Sequence, residues 1–92
     1  MELKIRTDEA GSRIGKGALF VRHAIKNGSF PGAYATNENN NSDFYISKLV
    51  LYQKVMGYSY EDAKKLIVLE DDGLTFEEAQ KMILLQQDQK RN

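Results

Sequence analysis

The stretch GALFVRHAIKNGSFPGAY, residues 17–34, decides how this chain is read. Phe20, Val21, Ala24 and Ile25 recur at helical spacing and are expected to face a core. Leu19, Arg22, His23 and Lys26 fall on the other side. The spacing predicts a helix over about 18–27. Gly28 suits the left-handed position that ends a helix, and Pro31 cannot continue one. The outer face of this helix carries two cations and a histidine. It is either an ordinary solvated surface or a surface made for an anionic partner.

The residues before it favour the second. LKIR at 3–6 alternates apolar and polar residues like a short strand. Thr7 then stands before Asp8, Glu9 and Ala10. A hydroxyl that accepts a backbone N–H, followed by acids at the positive end of a helix, marks an N-terminus. A first helix over about 8–14 follows, capped by Thr7, weakened by Gly11 and stopped at the Gly15-Lys16-Gly17 turn. Short helix, glycine turn and basic helix is the helix-turn-helix order, in which the second helix enters the major groove.

After Pro31-Gly32 the chain reads AYAT, NENNNSD and FYIS. Two aromatic runs around an asparagine-rich tip predict a β-hairpin with a long loop, a wing beside the basic helix. Ser47 starts a third helix through Leu49, Val50, Tyr52, Gln53 and Met56, ending at Gly57. Beyond it, GYSYEDAKKLIVLE (57–70) and GLTFEEAQKMILLQ (73–86) repeat each other at a period of 16. Ser59 with Asp62 and Thr75 with Glu78 have the capping-box spacing, and Tyr58 and Leu74 sit where a hydrophobic staple packs on Ala63 and Ala79. A repeat one helix long predicts a helical hairpin, with a tail that frays.

That hairpin carries wide apolar stripes: Ala63, Leu66, Ile67 and Leu69 in one helix, Ala79, Met82, Ile83 and Leu85 in the other. Two short helices cover only part of such stripes with each other. The rest is expected to complete the core or to meet another molecule, as a homo-oligomer or a protein partner through residues 58–90. The expected division is a winged helix-turn-helix domain over 1–57 and a helical hairpin with its tail over 58–92. The fold class is mainly α with a small β-hairpin wing.

Composition narrows the function. The chain has 92 residues and no cysteine, which excludes a disulfide framework and fits a reducing cytoplasm. MELKIRTDEA is too charged for a signal peptide, and no apolar run is long enough to span a membrane. A soluble cytoplasmic protein with no membrane partner is expected. Net charge is zero, yet residues 1–60 carry +3 and residues 61–92 carry −3. No acid occurs from Ala10 to Asn37, where four cations do. Such an asymmetry marks one basic face.

Catalysis is poorly supported. His23 is the only histidine, so no histidine metal cluster forms within one chain. The acids at 70–72 and 77–78 lack the calcium-loop pattern and read as a solvated turn. Gly15-Lys16-Gly17 lacks the phosphate-loop spacing. Neither an enzyme, a metal nor a cofactor is expected.

The run TDEAGSRIGKGALFVRHAIKNGSFPGAY…FYIS resembles the small winged helix-turn-helix domains of phage and mobile-element excisionases and of MerR-type regulators. The matching residues are Thr7, Glu9-Ala10, Ile14-Gly15, Phe20-Val21-Arg22, Ile25, Gly28, Phe30-Pro31 and Tyr45-Ile46. Gly17 departs from the pattern, which usually places a capping Ser or Thr there, and Gly11 loosens the first helix. The resemblance covers residues 5–56 and implies a DNA-binding accessory or repressor without catalysis. It implies that Leu19, Arg22, His23 and Lys26 lie on the groove-facing helix, that Lys16 meets phosphate at its start, and that Asn39, Asn40 and Asn41 form the wing tip. Double-stranded DNA is the implied partner. The rival is a protein-interaction module, a phage-encoded inhibitor or adaptor using the same scaffold.

Overall fold

The computed structural model of the chain describes residues 3–38 and 41–90. Its first helix, α1 (Thr7–Ile14), is preceded by Arg6 as cap, with no side-chain cap hydrogen bond. Thr7 therefore lies inside the helix, which corrects its expected capping role. Asp8 and Glu9 still occupy the first turn, where free N–H groups favour acids. Gly15 ends the helix at φ 72.

Gly11 proves to be a contact where sequence reasoning saw a weakness. A Cβ there would stand 2.5 Å from the Lys16 carbonyl oxygen and 3.1 Å from the Gly17 carbonyl carbon. The missing side chain lets the turn fold back onto α1, where the Lys16 N–H donates to the Gly11 carbonyl at 2.8 Å. Backbone cannot swing aside as a flexible side chain can. Gly11→Ala is therefore expected to destabilise by about 1–3 kcal/mol through overpacking, although alanine favours helix. Urea midpoints of the two proteins check this, and an unchanged or raised midpoint contradicts it.

The second helix, α2 (Ala18–Lys26), starts at Gly17 with no side-chain cap, and Asn27 closes it. Gly28 follows at φ 80, as its position suggested. Val21 and Ile25 are buried, but Phe20 is 52% exposed. Its expected place in the core is corrected. Only the Val21–Ile25 line, with Ala24 beside it, meets the core; Phe20 lies about 100° further round the short helix.

Two antiparallel strands follow, β1 (Ala33–Glu38) and β2 (Asn41–Ile46), in a register running from Ala33↔Ile46 to Glu38↔Asn41. The long loop expected between AYAT and FYIS is thus largely ladder. Ala33, Ala35, Phe44 and Ile46 pack on the core. Tyr34, Thr36, Asp43 and Tyr45 alternate with them and take the outer face. LKIR makes only a single bridge, Lys4↔Ser47, because β2 ends at Ile46 and the next helix begins at once.

Ser47 caps α3 (Lys48–Val50), its Oγ accepting the Val50 N–H at 3.2 Å. The expected single helix then widens into a π-helical turn over Leu51–Val55. The adjacent residues Leu51 and Tyr52 are both fully buried there.

The C-terminal hairpin is α4 (Tyr60–Asp71) and α5 (Phe76–Lys90). At α5 the capping box is complete: Thr75 Oγ1 accepts the Glu78 N–H at 3.1 Å, and Glu78 Oε1 accepts the Thr75 N–H at 2.9 Å. The bond from the Thr75 N–H, and then the Thr75 side chain, hold the Glu78 carboxyl below its ordinary pKa. At α4 only half the box forms. Ser59 Oγ accepts the Asp62 N–H, while the Asp62 carboxylate accepts from Gln87 on α5. An aspartate arm is one methylene shorter than a glutamate arm.

One apolar cluster joins both parts of the chain: Val21, Ile25, Ile46, Leu51 and Tyr52 pack with Ala63, Leu66, Ile67, Phe76, Ala79 and Ile83. Leu69 is half-buried, whereas Met82 and Leu85 of the α5 apolar stripe are exposed. Among the described residues no helix is long and apolar enough to cross a membrane.

Candidate nucleic-acid interface

Helix α2 sets the geometry of the basic face. With Val21 and Ile25 fixed in the core, Leu19, Arg22, His23 and Lys26 stand outward and exposed, with Lys16 exposed just before the helix. Two aromatic rings position the outer cations. Lys16 Nζ lies 5.2 Å from the Phe20 ring centre, and Lys26 Nζ lies 5.8 Å from that of Phe44 on β2. The second contact ties the basic helix to the hairpin. Among the described residues no carboxylate lies within 4.0 Å of Lys16, Arg22 or Lys26.

The surroundings are not uniformly basic. A cleft beside α2 is lined by Arg6, Thr7, Asp8, Arg22, Asp43 and Phe44. Arg6 there pairs with Asp8 at 3.3 Å. Arg22 thus shares this cleft with two acids, Asp8, which pairs with Arg6, and Asp43 of β2. Asn39 and Asn40 lie outside the described residues. Asn41 opens β2, paired with Glu38.

Sequence reasoning overlooked the outer face of the hairpin. Tyr34 and Tyr45 oppose each other in register and stack at 5.0 Å, with Lys4 Nζ 4.4 Å above the Tyr45 ring. The alternation within AYAT and FYIS carried that signal: it places both tyrosines on one face once the register is known.

A second cluster was overlooked entirely, and it lies inside. Glu70, expected in a solvated turn, is nine-tenths buried at its side chain. Its Oε2 accepts from Arg13 Nη2 at 2.8 Å and pairs with Lys48 Nζ at 3.3 Å. Its Oε1 accepts the Tyr52 hydroxyl, which in turn accepts from Arg13 Nε at 3.1 Å. Arg13 also lies over the Phe76 ring. Four elements thus converge on one carboxylate. Among the described residues no buried side-chain polar atom lacks a partner. A buried polar cluster in which each group has a partner ties these elements together.

Burial lowers the Arg13 pKa, but its bonds to Tyr52 and Glu70 more than offset this and raise it overall. Burial, and then the bond given to Glu70, raise the Tyr52 pKa against the opposing Arg13 bond. A tyrosine unfolded ionises near pH 10, whereas Tyr52 folded stays protonated. Its contribution is complete below about pH 10 and is lost as pH rises above it. Stability measured between pH 8 and 11 is expected to fall at the alkaline end, and Tyr52→Phe is expected to flatten the fall. An equal fall in both proteins refutes the assignment to Tyr52.

Comparison with protein-family models, with curated proteins and with solved structures finds no match to this chain.

Proposed function

We propose that this chain is a non-catalytic, intracellular DNA-binding protein of the winged helix-turn-helix kind, an accessory or regulatory factor like those of phages and mobile elements. In this reading α2 enters the major groove and the β1–β2 hairpin is the wing. The carrying observation is the exposed line Lys16, Arg22, His23 and Lys26, whose cations make no ion pair among the described residues. Arg22 carries five donors that match a guanine edge or a phosphate, and Lys26, one turn on, is a phosphate contact. Lys16 meets backbone at the start of the helix. The Tyr34–Tyr45 stack with Lys4 adds an aromatic, cationic surface on the wing.

The test is titration of a double-stranded DNA library at low and high salt. Three or four phosphate contacts give a log–log salt slope of about −3. Arg22→Ala and Lys26→Ala are each expected to weaken binding and to reduce that slope by about one, with helical circular dichroism unchanged. If both variants bind a selected site as tightly as the parent, the groove assignment is wrong.

One observation favours the rival reading. Leu19 and Phe20 are 64% and 52% exposed on the same helix, and a protein partner covers such side chains better than DNA does. Under that reading the library shows no salt-dependent binding, and Leu19→Glu abolishes capture of the protein partner.

A further inference from the structure

The helical hairpin leaves a surface that the DNA reading does not use. A groove between α4 and α5 is lined by Lys64, Lys65, Val68, Leu69 and Gln86. Val68 is 43% exposed. One turn before Gln86, on the same side of α5, Met82 is 40% exposed, and Leu85 beside it is 62% exposed. These are among the apolar side chains that α4 and α5 fail to cover with each other; Tyr60 and Leu84 are exposed as well.

The charges around Val68 follow a symmetry. On α4, Lys64 and Lys65 lie one turn before it, and Asp71, the last helical residue, and Asp72, the C-cap, one turn after. At about 100° per residue, Lys65 and Asp72 fall on one flank of Val68, and Lys64 and Asp71 on the other. Each flank reads positive, then negative. A second α4 laid antiparallel about a two-fold axis at Val68 sets each lysine against an aspartate of the other copy. A parallel copy sets like against like. Among the described residues Lys64, Lys65 and Asp72 make no ion pair within the chain.

We propose that a second copy of this chain packs on this face, α4 against α4, antiparallel and two-fold symmetric at Val68. Such an interface is self-complementary, as a two-fold contact requires. Val68 alone is too small. A biological interface buries about 1,000 Å² or more, so Met82 and Leu85 are covered with it, and the dimer belongs to the weak, transient class. The surface lies on α4 and α5, away from α2, so the proposal stands whether or not the protein binds DNA.

Sedimentation equilibrium of the full chain at low salt, over a wide concentration range, tests it. The parent is expected to self-associate. Lys65→Glu and Asp72→Lys each turn two attractive contacts per dimer into repulsive ones, and each is expected to weaken association about tenfold. The Lys65→Glu/Asp72→Lys double variant swaps the charges and is expected to restore it, which loss of folding cannot mimic. Circular dichroism accompanies every variant. Asp72 is exposed at the end of α4, so Asp72→Lys keeps the test intact if Lys65→Glu disturbs the groove. A parent that stays monomeric throughout, single reversals that associate like the parent, or a double variant weaker than either single overturns the proposal.

Discussion

Glu70→Ala is expected to destabilise the protein by about 3–5 kcal/mol, the cost of stripping the partner from buried charges. One carboxylate faces both Arg13 and Lys48 and accepts the Tyr52 hydroxyl. Removing it leaves two cations with little water. Domains of this size have only about 5–15 kcal/mol in total, so the variant sits near unfolding. Glu70→Gln keeps an acceptor for Tyr52 but loses the charge, and is expected to behave almost as badly. Urea or thermal unfolding checks both. A loss below about 1 kcal/mol, the scale of an exposed pair, shows that the cluster is in effect solvated. Replacing Arg13, Lys48 and Glu70 with methionine and Tyr52 with phenylalanine, so that no hydroxyl is left unpartnered, separates two meanings of a large loss. If the loss reflects stranded charge and not the worth of the pair itself, this fourfold variant is close to neutral.

The same cluster shows why sequence reading reached some features and not others. Local signals were legible. Gly28 ended α2, Ser47 and Ser59 capped their helices, and Thr75 with Glu78 closed a full box, because each depends on residues within a turn. The alternation that put Arg22, His23 and Lys26 outward is equally local. In sequence Glu70 reads as solvated because it adjoins Asp71 and Asp72, which are exposed. Its partners lie 57, 22 and 18 positions away on other elements, and no spacing rule reaches them. Gly11 failed for a related reason. Glycine weakens an isolated helix, but here its role is set by a carbonyl five residues on that folds back against it. Phe20 failed because a helical wheel gives a face and not the width of the surface that meets it.

Truncation after Gly57 is expected to abolish cooperative folding of what remains. The remaining segment would keep α1, α2, the hairpin and α3, every element the DNA reading uses. It would lose the half of the core that Ala63, Leu66, Ile67, Phe76, Ala79 and Ile83 provide. Leu51 and Tyr52, fully buried in the intact chain, would face water, and Tyr52 would lose the Phe76 ring 5.5 Å away. Burying one such side chain contributes about 1.5–3 kcal/mol, so these residues alone approach the whole stability of a small domain. Arg13 and Lys48 would lose Glu70 as well. Circular dichroism and a denaturant titration of residues 1–57 check this; a sharp, cooperative transition refutes it. The outcome decides how function can be assigned. If the fragment unfolds, its failure to bind DNA says nothing about the groove, and its failure to self-associate says nothing about α4. Point variants on the two exposed faces, Arg22 and Lys26 on one and Lys65 and Asp72 on the other, then separate the two surfaces, because none of these four side chains supports the core.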